Sequence, residues 1–416
     1  MATMKKLTRY KEIESFLFSQ LPMFQRIGPK AFKTDLHNIT RLLALLGDPQ
    51  DSLRCIHVAG TNGKGSSCFM LAAYLGRLGY KTGLYTSPHY SDYRERVRID
   101  GQKITRQYVS QFVNRLIDLG VFESGMKPSF FEITVALAFQ YFKDEGVEWA
   151  VIETGLGGRL DSTNVITPAV SLITNIGMDH TAFLGDTLEK IAFEKAGIIK
   201  PAVPVVIAKT QAETEPVFRQ KASALKAPIT FADKQASIPF LEKQVKAMPA
   251  YQRENIYGVY AALKCILPAG ELKKIERVDL AKDMQTWGFV GRYQRIAESP
   301  VIILDSAHNR EGIIAMMDQL SSESYKHLHI VMAVVNDKDL EAVLNLFPQD
   351  ASYYFSQADI PRALDRHVLK DQAGRYGLNG KSYTTVRRAF AAAKRKAEAK
   401  DLILVCGSIF TVAELV

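Results

Sequence analysis

The sequence predicts an α/β protein in two parts: a mostly parallel sheet of P-loop type in residues 1–288, and a smaller Rossmann-like α/β domain in residues 289–416. Three observations predict it. The apolar run Ile56 to Ala59 leads into Gly60-Thr61-Asn62-Gly63-Lys64-Gly65-Ser66, and helically spaced apolar residues follow (Cys68, Leu71, Ala72, Leu75, Leu78). Apolar strand patterns alternate with helix patterns along most of the chain, which favours a parallel sheet. The 416 residues exceed one ordinary core, and the alternation resumes after Trp287-Gly288-Phe289-Val290-Gly291-Arg292.

Strand, glycine turn and helix in that order make an anion site. Backbone N–H groups and the helix N-terminus point at the anion, and Lys64 adds a mobile positive charge. Ser66 sits where a hydroxyl can bind the Mg²⁺ that travels with a nucleoside triphosphate. The spacing departs from the usual P-loop: Val58 stands at the position of its first glycine, and the serine comes after Gly65. A tight βα turn is the plain alternative, but three glycines around a lysine between strand and helix favour phosphate binding.

Taken in order, Tyr10 to Leu21 and Ile39 to Leu46 have apolar residues at helical spacing. The proline-bracketed loop Pro22 to Pro29 lies between them, a hinge or a pocket wall. Lys81 to Tyr85 is a strand ending in Thr86-Ser87-Pro88-His89. Tyr90 to Arg98 follows as a polar loop, with three arginines in five residues making it an anion-binding candidate at a strand end. Residues 105–118 and 129–143 read as helices, the second opened by a Ser129/Glu132 capping box. Val147 to Glu153 is a strand ending in a carboxylate, suited to Mg²⁺ or simply solvated. A second glycine-rich loop, Thr154 to Asn164, follows it. Ala169 to Thr174 is a strand leading to Asn175-Ile176-Gly177-Met178-Asp179-His180. A helix over 187–195 and a strand over Pro204 to Ala208 come next. Residues 209–250 predict one helix (Glu213 to Leu225) and a short strand pair, and a helix opens at Gln252-Arg253-Glu254-Asn255. In the second domain, strands are predicted at Val301 to Leu304, 328–335, 351–355 and 401–405, and Asp305-Ser306-Ala307-His308-Asn309 leads into a helix. The basic, alanine-rich stretch Arg387 to Lys400 is a solvated helix.

Composition narrows the function. Hydrophobic residues at 47% and charged residues at 23% are globular values. No apolar run approaches the length of a membrane span, and the basic N-terminus lacks the apolar region of a secretory signal. Four scattered cysteines (Cys55, Cys68, Cys265, Cys406) suggest reduced thiols in a cytoplasmic protein, not a disulfide framework or metal site. The net charge of +9 suits anionic partners. Nucleotides and polycarboxylates fit it without invoking nucleic acid, for which no aromatic-studded basic strand argues.

Together these motifs resemble the folylpolyglutamate synthase and dihydrofolate synthase family of the Mur ligase superfamily. The resemblance covers nearly the whole chain. It rests on GTNGKGS at 60–66, TSPH with ERVR at 86–98, ETGLGGRLDSTN at 153–164, NIGMDH at 175–180, EKAGIIK at 194–200, GR at 291–292 and DSAHN at 305–309. It implies an ATP- and folate-binding domain at 1–288, a C-terminal ligase domain at 289–416, and ATP-dependent amide ligation through an acyl phosphate. The partners would be L-glutamate and dihydropteroate or a reduced folate, with no nucleic acid, no membrane and a monomeric enzyme.

The resemblance also implies residue roles. Gly60 to Ser66 would hold the phosphates, with Lys64 on the β/γ oxygens, and Asn255, Arg292 and Asp305 would contact ATP. One Mg²⁺ would be held by Ser87 and Glu153 near Ser66. A second would involve His180 and Lys195, a lysine that the family carbamylates into an oxygen donor. Lys64, Lys195, His308 and Arg96 are the catalytic candidates. The substrate side would comprise Leu21, Pro22, Met23, Phe24, Ser129, Phe130, Phe131, Glu132, Leu160, Asp161 and Ser162, with Asp161 accepting from pterin N–H donors. Asn309 and Ser408 would lie toward the incoming glutamate.

Two positions depart from the family pattern: Ser306 stands where glycine is usual, and Phe410 where many members carry an aromatic hydroxyl. Both bear on glutamate-chain extension. A monofunctional folylpolyglutamate synthase, a peptidoglycan Mur ligase and a nucleotide-dependent switch are the competing readings. Only 59 residues precede Gly60, little room for the separate UDP-binding domain of a peptidoglycan ligase. A switch would have no use for the ligand set at Glu153, His180 and Lys195.

Overall fold

The structure is a computed structural model that describes residues 5–22, 35–336 and 340–416. Met23 and Phe24, with the rest of the 22–29 loop beyond Pro22, lie outside the described residues. The chain divides into two compact units, 1–248 with 252–289, and 249–251 with 290–416.

The first unit is built on an eight-stranded sheet. Its strands are β1 (Cys55–Ala59), β2 (Thr82–Tyr85), β3 (Val97–Ile99), β4 (Gln102–Lys103), β5 (Trp149–Glu153), β6 (Val170–Ile173), β7 (Val205–Ile207) and β8 (Ile229–Phe231), in the order β4-β3-β2-β5-β1-β6-β7-β8. All neighbours run parallel except at the β2–β3–β4 edge. The inner strands β1 and β5 are buried on both faces, as a doubly covered parallel sheet requires. Alternate residues of β5 feed two cores. Ala150 and Ile152 pack with the helices Arg106–Asp118 and Phe130–Asp144. Trp149 and Val151 pack with the helices Lys64–Arg77 and Arg253–Ile266.

The chain order places the site. β1 lies between β5 and β6, so the carboxyl ends of β2, β5, β1 and β6 stand side by side. Those ends deliver, respectively, Thr86-Ser87, the Glu153–Gly155 turn, the Gly60 loop and Thr174-Asn175. This is the edge at which open α/β sheets place ligands.

The second unit is a six-stranded sheet, β13-β12-β11-β14-β10-β9. Its strands are β9 (Gln294–Glu298), β10 (Val301–Leu304), β11 (Leu328–Met332), β12 (Ser352–Phe355), β13 (Gly380–Ser382) and β14 (Leu402–Cys406). β9 alone is antiparallel, and only at the edge. The basic helix Val386–Lys396 buries Val386, Ala389, Ala392 and Ala393, leaving its charges in solvent.

Two stretches differ from the sequence-based expectation. The 209–250 region holds no strand pair: β8 joins β7 in parallel, and a helix, Pro239–Lys246, follows. Proline at the first helical position pre-sets that helix. Gln244 on its inner face is buried and donates to the Val278 carbonyl. The polar 90–98 loop instead contains a short 3₁₀ turn, Tyr93–Arg96, capped by Asp92, and then β3. Its polar sequence conceals Tyr93, Arg96 and Val97, which are all buried.

Candidate active site

The glycine loop is held from behind by the segment after β6. Thr61 N donates to the Asn175 carbonyl (2.8 Å) and Asn62 N to Asn175 Oδ1 (2.9 Å). Thr174 Oγ1 donates to the Asn62 carbonyl (2.6 Å), and Gly177 N donates to Thr61 Oγ1 (2.9 Å). The closeness dictates the glycine: a Cβ on Gly60 would lie 1.8 Å from Thr174 Oγ1, at a φ of +149°. NIGMDH therefore shapes the loop as well as carrying His180. That residue sits at φ 52° opening a short helix, its ring 3.9 Å from Asp179.

Two lysines converge on one carbonyl. Lys64 Nζ donates to the Gly60 and Thr61 carbonyls at 3.1 and 3.2 Å. Lys195 Nζ, buried, donates to the Gly60 carbonyl at 2.8 Å. Burial, and then the Lys64 charge, push the Lys195 ammonium down to about 7.

Glu153, buried at the end of β5, accepts from the Ser87 amide at 3.0 Å. A Cβ on Gly65 would lie 3.7 Å from both of its carboxylate oxygens. The carboxylate thus faces the start of the helix Lys64–Arg77, one residue from the Ser66 hydroxyl. Serine and carboxylate oxygens at one strand-helix junction are the hard donors Mg²⁺ takes, usually with several waters and phosphate oxygens completing the shell. Among the described residues there is no group of three His, Cys, Asp or Glu placed to hold a metal. A cation here would depend on nucleotide oxygens.

Sequence reasoning missed Gln252. Its Nε2 donates to Ser66 Oγ (3.1 Å), and its Oε1 accepts from Asn255 Nδ2 (2.8 Å). Asn255 in turn presses on Gly63, where a Cβ would meet Asn255 Oδ1 at 2.3 Å, at a φ of +84°. The available signal was the three-residue spacing of two amides opening a helix, which puts them on one face.

Near the carboxyl end of β2 lies a packed aromatic cluster around a buried cation. Arg96 is 3% exposed; its Nε donates to His89 Nδ1 (2.8 Å) and its guanidinium sits 5.1 Å from the Phe130 ring centre. Burial lowers its pKa, opposed by Tyr85, Tyr93 and Glu153. Burial and Arg96 push His89 down to about 3, so its ring is a neutral acceptor. Phe18 stacks on Phe130 (5.3 Å between centres) and meets His89 and Tyr93 edge-on. Phe130 N donates to the Pro22 carbonyl, next to buried Leu21. Phe131 packs against Tyr85 and fills the space a Cβ on Gly155 would need. Phe18, His89 and Tyr93 escaped the sequence reading because their spacings looked like ordinary core or polar loop.

Three substrate-side candidates, Ser129, Glu132 and Asp161, also hold local structure. Ser129 and Glu132 form the capping box: Ser129 N and Oγ donate to Glu132 Oε2, and Glu132 N donates to Ser129 Oγ. Asp161, expected to accept from a ligand, already accepts four times. Gly155 N and Leu156 N reach its Oδ2 at 2.9 Å; Thr163 N and Oγ1 reach its Oδ1 at 3.0 and 2.5 Å. A carboxylate offers about four lone-pair sites, so Asp161 organises its own loop. Leu160 and Ser162 flank it, half-buried.

In the second unit, Asp305 is the hub. Its Oδ2 accepts from Tyr293 N (2.8 Å) and Tyr251 Oη (3.1 Å), and its Oδ1 from Ala307 N (2.7 Å). Burial raises its pKa, and Arg292 opposes that. Ser306 donates to the Gly291 carbonyl at 2.7 Å, tying DSAHN to the GR pair. The serine that replaces a glycine is thus a structural tie. His308 Nδ1 lies 3.0 Å from the Ser306 carbonyl, which fixes the proton on Nδ1. Asn309 and Ser408 cap the helices Arg310–Leu320 and Ile409–Ala413. Ser408 also bonds Thr411, and Phe410 is half-buried.

Comparison with known proteins places these motifs. Residues 58–257 match the Mur ligase middle domain, and residues 291–409 the Mur ligase glutamate ligase domain. The dihydrofolate synthase/folylpolyglutamate synthase of Bacillus subtilis is 31% identical, over 98% of both chains. A probable bifunctional folylpolyglutamate synthase/dihydropteroate synthase of Haloferax volcanii is 33% identical over 97% of this chain, which spans only 50% of that relative's length. Among solved structures, Escherichia coli FolC in complex with DHPP and ADP superposes with a TM-score of 0.84 at 26% identity, covering 99% of this chain and 98% of that one. The bifunctional synthase of Yersinia pestis complexed with AMPPNP and Mn ion gives 0.83 at 26% identity, covering 100% and 98%. The chain belongs to the folylpolyglutamate synthase and dihydrofolate synthase family of ATP-dependent Mur-type ligases.

Proposed function

We propose that this protein joins L-glutamate both to dihydropteroate and to reduced folates, at the expense of ATP. The observation that carries the reading is a phosphate loop, with Lys64 and Lys195 on the Gly60 carbonyl, in one unit with the arginine-bearing aromatic cluster of Arg96, Phe130 and Tyr93. A pteridine ring needs an aromatic slot, and an attacking carboxylate needs cations around the phosphoryl group it approaches.

The acceptor carboxylate attacks the γ-phosphorus, forming an acyl phosphate and releasing ADP. The glutamate amine then displaces phosphate and loses a proton, leaving the amide. The glycine-loop amides and Lys64 hold the β and γ oxygens while negative charge shifts among them. Ser66, Ser87 and Glu153 would hold Mg²⁺, which neutralises phosphate charge when bound. Asn255, Arg292 and Asp305 serve the nucleotide. His308, Asn309 and Ser408 serve the glutamate side.

Lys195 is carbamylated in the working enzyme and, with His180, serves a second metal. A buried lysine beside Lys64 is an unfavourable cation; conversion to a carbamate removes that charge and supplies an oxygen donor. Intact-protein mass spectrometry under bicarbonate should find one added CO₂ that Lys195→Ala lacks. An unmodified Lys195 in fully active enzyme would refute the carbamate. The enzyme acts as a cytoplasmic monomer; the four free cysteines accord with a reducing compartment.

The deciding assay is glutamate-dependent ADP release with Mg²⁺ and ATP, run in parallel with 7,8-dihydropteroate and tetrahydrofolate. Turnover with both is expected. Turnover with tetrahydrofolate alone would make the enzyme a tail-lengthening synthase only. Turnover with neither would reject the folate reading.

A further inference from the structure

The glycine-rich loop after β5 is fastened to the segment that carries Lys195 by more contacts than a surface loop needs. Arg159 N donates to the Glu194 carbonyl at 2.7 Å. The Arg159 guanidinium grips the Glu194 carboxylate through Nε (3.1 Å) and Nη2 (2.8 Å). Asn164 Nδ2 donates to the carbonyls of both Arg159 and Gly197, at 3.1 Å each. Lys200 Nζ donates to the Asn164 carbonyl at 2.8 Å.

The glycines at the seam are there for closeness. A Cβ on Gly158 would stand 2.9 Å from the carbonyl oxygens of both Glu194 and Lys195. A Cβ on Gly197 would stand 2.3 Å from Arg159 Cα. Neither glycine has a positive φ, so backbone approach is the reason for both. The seam therefore has no slack between the loop bearing Leu160, Asp161 and Ser162 and the helix ending at Lys195.

We propose that the Arg159–Glu194 pair is a positioning device that holds the 155–164 loop in its acceptor-binding shape and in fixed register with the Lys195 helix. Neither side chain is among the residues assigned above to the nucleotide, metal or substrates. Each acts through the loop. The pair is partly solvent-exposed, 45% at Arg159 and 17% at Glu194, so it adds little to global stability. Its expected effect is on placement, where small displacements cost much in rate and binding. The claim about acceptor binding rests on the functional reading above; the claim about the loop does not.

The test uses the full chain with Arg159→Gln, Glu194→Gln and the charge exchange Arg159→Glu/Glu194→Arg. Hydrogen exchange without ligand should show 155–164 deprotected in both single variants, while β1 and the helix Lys64–Arg77 stay at wild-type protection. In turnover, each single variant should raise KM for the pteroate or folate acceptor about tenfold while KM for ATP stays within about twofold. The charge exchange should recover most of the acceptor KM. Unchanged exchange in 155–164 would overturn the device whatever the substrate is. Equal rises in both KM values, or no recovery in the exchanged pair, would overturn it as a specific pair. Loop deprotection without any folate turnover in the wild type would overturn the acceptor reading and leave the clamp standing.

Discussion

Gln252 Nε2 lies 3.1 Å from Ser66 Oγ, and the same amide's oxygen accepts from Asn255. The relay ties the hydroxyl that opens the phosphate-loop helix to the side chain that packs on Gly63. It fixes the direction of one Ser66 lone pair, so the proposed phosphate and Mg²⁺ contacts would fall to the hydroxyl proton and the other lone pair. Gln252→Ala removes a buried donor and leaves Asn255 without its acceptor. The expected loss is about 1–2 kcal/mol of nucleotide binding, roughly five- to thirtyfold in Kd. Calorimetric titration with ADP and Mg²⁺ checks it, and an unchanged Kd would show that the relay is only packing.

The loop glycines divide into two kinds, and substitutions should separate them. Gly60→Ala drives a Cβ into Thr174 at a φ suited to glycine. It should destabilise the unit by about 2 kcal/mol or more and abolish nucleotide binding. Gly65→Ala meets only ordinary contact, 3.7 Å from the Glu153 oxygens, and helix interiors favour alanine over glycine. Its melting temperature should equal or exceed the wild type, while the methyl crowds the carboxylate and weakens Mg²⁺-dependent turnover. Thermal unfolding paired with a Mg²⁺ titration of activity reads both.

Much of this was legible in the sequence because local pattern and tertiary role coincide in the inner strands. Ile56 to Ala59 and Val147 to Glu153 are continuous apolar runs because their strands are buried on both faces. The capping box at Ser129 and Glu132 is a local motif and formed as one. Illegible were the features made by distant residues meeting. Nothing in the spacing of Phe18, His89, Tyr93 and Phe130 says that they share one cluster. Asp161 looked like a ligand acceptor, since its four donors include backbone amides that become available only once the turn forms. β3 and β4 were hidden because they are only three and two residues long, too short to show an alternating pattern, and β4 at the edge is polar and exposed.

His57 supplies a pH dependence whose sign is fixed. It is fully buried in β1, bonded through Nε2 to Thr163 Oγ1 at 2.9 Å. Thr163 donates onward to Asp161, so His57 donates to Thr163 and its ring is neutral. Burial, and secondarily Lys200, push its pKa from 6.5 down to about 3. The unfolded chain therefore binds a proton below pH 6.5 that the folded chain refuses until about pH 3. Its contribution is intact above 6.5 and is lost as pH falls across that window, at up to about 1.4 kcal/mol per pH unit. Urea midpoints at pH 7.5 and 5.5 should fall in that order, and His57→Gln should flatten the difference. An equal slope in the variant would place the acid sensitivity elsewhere.

Tyr251 offers the cleanest probe of the second unit, because Tyr251→Phe deletes one hydroxyl and nothing else. That hydroxyl is one of three donors holding Asp305, through its Oδ2. Asp305 is buried and its pKa is already raised; with a donor removed it rises further, and the carboxylate becomes a weaker partner for Arg292 and for the nucleotide proposed to contact it. A lost bond to a charged group costs about 1.5–3 kcal/mol when nothing replaces it, less here because two backbone amides remain. KM for ATP should rise about three- to tenfold, with KM for the folate acceptor unchanged, and the rise should grow as pH falls. Ser306→Gly is the matched control: it cuts the tie to the Gly291 carbonyl while leaving all three Asp305 donors in place. It should lower the melting temperature of the second unit with a smaller effect on KM for ATP. If Tyr251→Phe instead lowers stability and leaves KM for ATP alone, Tyr251 packs the unit and Asp305 does not depend on it.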